Sequence, residues 1–168
     1  MYKANDVVVY RRDVCKVIGR KRSDFTGEPC YILVPYGKAD GTVRMQVPVA
    51  NKAGNLRSLI TLTELETLMR ETPDIELLDN KPANMKSQYA TLLKGNDIHD
   101  LIRIVKTSYA RNKERLDQNK KIASVDNEYL QKAEKYLFDE LSVVLGMNYE
   151  EAREYFLDGV RKASEEQQ

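Results

Sequence analysis

The chain has 168 residues, 42% hydrophobic and 32% charged, which places it in the globular, slightly charge-rich class. It holds no run of 18 apolar residues, and its start, MYKANDVVVYRR, lacks an apolar signal core, so the expectation is a soluble cytoplasmic protein without membrane association. The formal net charge of +1 conceals an asymmetry: residues 1–80 carry 12 Lys/Arg against 11 Asp/Glu, residues 81–121 carry 10 against 4, and residues 122–168 carry 5 against 11. A basic middle beside an acidic tail suggests a polyanion on one face.

The first 48 residues read as short strands. Val7–Tyr10, Val14–Ile18, Tyr31–Val34 and Val43–Val47 are rich in side chains that suit a pleated surface. Turn signals separate them at Ser23-Asp24 through Gly27, at Gly37 and at Asp40-Gly41. Strands at about ten-residue spacing predict a small bent sheet or SH3-like barrel. Pro48 cannot extend a central ladder, so the strand Val43-Arg44-Met45-Gln46-Val47-Pro48 is expected at an edge, where a partner strand could add.

Beyond Val49 the pattern turns helical. Thr63-Glu64-Leu65-Glu66 has the form of a capping box and opens a short helix that stops before Pro73. Four amphipathic helices follow. The first spans about Met85–Lys94. The second starts at Asn96 or Asp97, with Ile98, Leu101, Ile102, Val105, Tyr109 and Leu116 on its inward stripe. The third runs from near Ser124 to Leu145 and stops at Gly146, with Leu130, Ala133, Leu137, Leu141 and Val144 inward. The fourth opens at Asn148 and buries Ala152, Tyr155, Phe156 and Val160. The predicted class is α+β: a bent β-sheet domain over residues 1–72, a boundary over 73–84, and a compact all-α bundle over 85–164.

Catalytic patterns are sparse. His99 is the single histidine, which excludes a multi-histidine metal site, and its place in a first helical turn among acidic neighbours reads as an ordinary surface histidine. No CxxC, GxGxxG or GxxxxGK[ST] motif occurs. Cys15 and Cys30 read as reduced, packed thiols. Glu150-Glu151 and Glu165-Glu166 read as solvated faces. A non-enzyme without metal, cofactor or small-molecule substrate is expected. The second bundle helix carries Arg103, Lys106, Arg111, Lys113 and Arg115, which form either a solvated face or a set of phosphate contacts. A helix-turn-helix is not supported, because the link Asp117–Ala123 exceeds a three- or four-residue turn.

NDVVVY (Asn5–Tyr10), DVCKVI (Asp13–Ile18), CYILV (Cys30–Val34), VPV (Val47–Val49), NLRSLIT (Asn55–Thr61), LLKGNDIHDLIRIVKTSY (Leu92–Tyr109) and AEKYLFDEL (Ala133–Leu141) follow one another in an order that resembles the CarD/CdnL family of bacterial transcription regulators. The resemblance covers roughly residues 4–160. It implies a Tudor-like module, shared with transcription-repair coupling factors, that binds the RNA polymerase β subunit by strand addition, here through Val43, Arg44, Met45, Gln46, Val47 and Pro48. It further implies a helical domain lying on promoter DNA at the upstream edge of the melted region, where it favours the open complex. Where the family carries a wedge tryptophan this chain has Met85, followed by Lys86-Ser87-Gln88 in place of arginines, and Arg11-Arg12-Asp13-Val14-Cys15 stands where the family often has a proline, histidine and glycines. The DNA-contacting set is then Met85, Lys86, Arg103, Lys106, Arg111 and Lys113. The expected function is modulation of open-complex stability with mainly non-sequence-specific DNA contact. The alternative is a polymerase-docking adaptor whose helical domain binds protein.

Overall fold

A computed structural model describes residues 1–38 and 43–167. The expected turn at Asp40-Gly41 lies outside the described residues. The chain divides into two compact units, Met1–Leu59 and Ile60–Gln168.

The first unit is an antiparallel five-stranded sheet: β1 (Val7–Tyr10), β2 (Asp13–Arg22), β3 (Pro29–Pro35), β4 (Met45–Pro48) and β5 (Leu56–Ser58), in the order β4-β3-β2-β1-β5. Val8, Cys15, Val17, Tyr31, Leu33, Val47 and Leu56 form its core. The register of β2 against β3 shifts between Val17 and Gly19, a bulge that bends the strand. Arg11 and Arg12 join β1 to β2 with φ of 48° and 76°. A two-residue hairpin of type I′ needs positive φ at both central positions, which Asn-Gly supplies without the Cβ strain these arginines carry.

The second unit comprises α1 (Leu62–Glu71), α2 (Met85–Lys94), α3 (Ile98–Asp117), α4 (Ser124–Leu145) and α5 (Tyr149–Glu166), with 3-10 turns at Thr72–Asp74 and Pro82–Asn84. The capping box uses Thr61 and Glu64, two residues earlier than the sequence suggested. Both spacings fit the motif. The earlier one also places Ile60 and Leu65 as a hydrophobic staple on the core, whereas Thr63 as cap would have put exposed Leu62 there. α4 ends as expected, with Gly146 left-handed at φ 65°.

The boundaries 1–72, 73–84 and 85–164 need correction. Leu65, Leu68 and Met69 of α1 sit in one core with Tyr89, Leu101, Ile104, Leu137 and Phe156, so α1 belongs to the helical unit. The 73–84 segment packs Ile75 and Leu78 on that core, and the Leu78 N–H donates to Thr107 Oγ1 at 2.9 Å. The inward stripe of α3 also differs. Ile104, Thr107, Ser108 and Asn112 are buried, while Tyr109 and Leu116 are 65% and 54% exposed. Small hydroxyl side chains can turn inward because they satisfy themselves on the helix: Ser108 Oγ donates to the Ile104 carbonyl at 2.7 Å. On α5 Tyr155 is exposed, one position off the face that buries Ala152 and Phe156.

Candidate functional site

Among the described residues the sheet ends in two edge strands, the three-residue β5 and the longer β4. Cys30, Tyr31, Ile32 and Leu33 of β3 pair with Pro48, Val47, Gln46 and Met45, and among the described residues β4 has no strand on its other side. The Val49 N–H donates to the Pro29 carbonyl at 3.0 Å. Hydrogen-bonding direction alternates along a strand, so Met45 and Val47 also turn their backbone groups to β3. The Gln46 backbone and the Pro48 carbonyl therefore point off the open edge, and the missing proline N–H falls where no ladder bond is lost. Side chains alternate likewise: Val47 is buried, whereas Arg44, Gln46 and Pro48 are exposed. Val43, just before the strand, is 52% exposed.

Beside this edge stands the β2–β3 turn, expected at Ser23-Asp24 through Gly27, whose Phe25 the sequence reading passed over. Ser23 N–H donates to the Glu28 carbonyl at 2.8 Å and Gly27 N–H to the Ser23 carbonyl at 3.0 Å. Ser23 Oγ accepts from the Phe25 N–H at 3.2 Å. Asp24 receives Lys21 Nζ at 3.1 Å and Gln46 Nε2 at 3.5 Å, which together hold its carboxyl below the usual range. The turn so fixed holds Phe25 out at 94% exposure. Phe25, Thr26, Glu28, Arg44, Gln46 and Pro48 border a recess of about 460 Å³. An aromatic residue inside a polar turn, Asp24-Phe25-Thr26, was the available signal.

The six residues assigned to DNA contact are not brought together as an open surface. Met85 is fully buried. The 3-10 turn Pro82–Asn84 leads it into the helical core, and enclosing such a side chain stabilises by roughly 1.5–3 kcal/mol, so the wedge assignment is overturned. Lys106 Nζ donates to the carbonyls of Thr72, Pro73 and Ile75 at 2.8, 3.2 and 2.6 Å. These acceptors follow the C-terminal end of α1, where carbonyls lack helical partners and a cation is favoured. Burial lowers the Lys106 pKa, with Asp74 opposing. Arg103 Nε donates to the Glu76 carbonyl at 3.0 Å. Arg111 Nε reaches the fully buried Asp126 carboxylate at 3.0 and 3.2 Å, and its Nη1 bonds Asn80 Oδ1. Tyr89 donates its hydroxyl to the same carboxylate at 2.7 Å, and burial first, then that bond, raises the phenol's pKa. Of the set, Lys86 and Lys113 are the exposed cations.

His99 lies between two carboxylates, Nδ1 at 2.8 Å from Asp97 and Nε2 at 2.6 Å from Glu71, which ties the end of α1 to the start of α3. Partial burial lowers its pKa, but the two carboxylates outweigh this and the net shift is upward. Cys15 and Cys30 are buried free thiols, and burial with Asp13 nearby pushes Cys15 up to about 11. Among the described residues no group of three or more His, Cys, Asp or Glu is placed to hold a metal ion, and no helix is long and apolar enough to cross a membrane. No protein-family model matches the chain, and no curated protein is significantly similar to it.

Proposed function

We propose that this protein is a non-enzymatic transcription regulator that docks on the β subunit of RNA polymerase by adding a partner strand to β4. The observation carrying this reading is the free β4 edge, with the Gln46 backbone directed away from β3 and Arg44, Gln46 and Pro48 outward. Backbone pairing supplies affinity in such additions, and alternate side chains supply selectivity. The motif order resembling the CarD/CdnL family supports polymerase as the partner. The test is binding of the full chain to core polymerase and to its isolated β lobe. Arg44→Glu, at an exposed position that leaves the fold intact, weakens binding about tenfold. Undiminished binding by Arg44→Glu together with Phe25→Ser refutes the docking surface.

A second reading concerns the helical unit: it binds protein in preference to DNA. It is favoured by the internal engagement of Arg103, Lys106 and Arg111, which leaves few of the expected cations for phosphate. Salt-dependent binding to a duplex with a melted segment separates the two, since each phosphate contact steepens the salt slope.

A further inference from the structure

His99, the single histidine of the chain, lines a cleft of about 250 Å³ between α1 and the first turn of α3. Ile60, Leu68 and Ile98 give the cleft its apolar wall. Its charged neighbours are carboxylates. From α1 come Glu71 and Glu64, the second of which accepts from the Thr61 N–H at 3.2 Å as part of the helix cap. The link into α3 supplies Asp97, and α4 supplies Glu140, whose carboxylate takes the Ile60 N–H at 3.0 Å. No lysine or arginine is among the described residues of the lining, so a protonated His99 is the only positive charge the lining can supply.

Both ring nitrogens meet a carboxylate oxygen: Nδ1 lies 2.8 Å from Asp97 Oδ1 and Nε2 lies 2.6 Å from Glu71 Oε2. An ionised carboxylate only accepts, so the two contacts are hydrogen bonds together only when both nitrogens carry a proton. The neutral ring has one N–H, and its other nitrogen turns a lone pair on an anion, which drives that partner away. The two partners are not equally free to leave. Asp97 is the N-cap of α3, and the same Oδ1 accepts from the His99 backbone N–H at 2.9 Å. Glu71 reaches across from another helix on a longer side chain that is 48% exposed. Loss of the proton therefore keeps the Nδ1–H bond to Asp97 and releases Glu71 to water.

We propose that His99 is a proton-operated latch between α1 and α3: protonated, it bridges Glu71 and Asp97 across the cleft; neutral, it keeps Asp97 and lets Glu71 go. Partial burial lowers the pKa of the ring, but the two carboxylates outweigh it, so the latch opens as pH rises through a value above 6.5. The rest of the joint stays closed, because Lys106 holds the carbonyls of Thr72, Pro73 and Ile75 in either state of His99. The device lies within the helical unit and stands whether or not β4 docks on polymerase.

The test uses the full chain. With a single histidine, nitrogen-15 NMR gives one pair of imidazole signals, which report the ring's midpoint and its tautomer directly. The expected result is a midpoint above 6.5 and, in the neutral form, a proton on Nδ1, the reverse of the form that solvated histidines favour. Glu71→Gln lowers the midpoint. A double-mutant cycle of His99→Ala and Glu71→Ala, read by urea unfolding, measures the latch itself. At about pH 5.5 the pair is expected to be coupled roughly two- to fivefold in the unfolding equilibrium, the scale of an exposed charged contact, and at about pH 8.5 the coupling vanishes. A neutral ring protonated on Nε2, a midpoint at or below 6.5, or a coupling that is the same at both pH values, present or absent, overturns the proposal.

Discussion

Removing the carboxylate of Asp126 is expected to destabilise the helical unit by about 3–4 kcal/mol. The side chain is fully enclosed and accepts from Tyr89 at 2.7 Å and from Arg111 at 3.0 Å. Each is a hydrogen bond to a charged group, contributing roughly 1.5–3 kcal/mol. Asp126→Ala forfeits both and leaves a guanidinium that is only 15% exposed without its counter-charge. Breaking one member of a buried pair typically costs about 3–5 kcal/mol, and the residual water access of Arg111 moves the expectation to the lower part of that range. Asp126→Asn keeps the shape and one acceptor but loses the charge, at about 2 kcal/mol. Joining Asp126→Leu to Arg111→Met removes both charges and costs less than the two changes summed, because neither leaves the other stranded. Urea unfolding followed by far-UV circular dichroism reads these as shifts of midpoint at constant slope. A melting curve for Asp126→Ala within about 0.5 kcal/mol of the parent, or strict additivity in the double variant, refutes the reasoning.

Three further outcomes follow from individual contacts. A Cβ at Gly159 would stand 2.1 Å from Met69 Sδ, so Gly159→Ala is expected to destabilise despite a helix-propensity gain of about 1 kcal/mol, and Met69→Ala in the same chain should turn the change favourable in thermal melts. His99, whose pKa is raised by Glu71 and Asp97 against the opposing effect of burial, contributes stability that is complete below its ordinary 6.5 and lost as pH rises through its folded value. His99→Gln therefore flattens the pH dependence of the melting temperature from about pH 6 upward, and an unchanged profile rejects the clamp. Lys106→Met lowers stability by roughly 1.5–3 kcal/mol and leaves any DNA salt slope unaltered, whereas Lys113→Ala lowers that slope by about 1 if the α3 face meets phosphate.

The architecture was legible where the chain carries strong local signals. Gly146 and Gly95 stop α4 and α2 at the expected residues, and Pro48 marks the edge strand. Local signals also misled where two satisfied one rule, as with Thr61-Glu64 and Thr63-Glu66; only the tertiary position of Ile60 separates them. Burial of polar residues was the larger omission. Thr107 and Ser108 face inward because each hydroxyl meets a backbone group, the Leu78 N–H and the Ile104 carbonyl, and nothing in a hydropathy pattern records that. Long cations were misjudged for a related reason. Lys106 and Arg111 sit beside the apolar stripe, and their flexible stems carry the charge back to carbonyls and a carboxylate that are distant in sequence. Met85 shows the limit of assigning a role by resemblance: the side chain expected to point outward is packed in the core.

The seam between Leu59 and Ile60 decides which piece of this chain could be inherited as a working part. The Ile60 N–H donates to the buried Glu140 carboxylate at 3.0 Å, and Met69 fills the notch that Gly159 leaves in α5. A recombination event or a fusion joined near residue 85 would take that donor from Glu140 and open the space held by Leu65, Leu68 and Met69. The same event at residue 60 severs neither. A lineage that exchanged the sheet unit for another domain would therefore retain α1 with the bundle, and chimeras cut at 60 should express and fold where those cut at 85 aggregate.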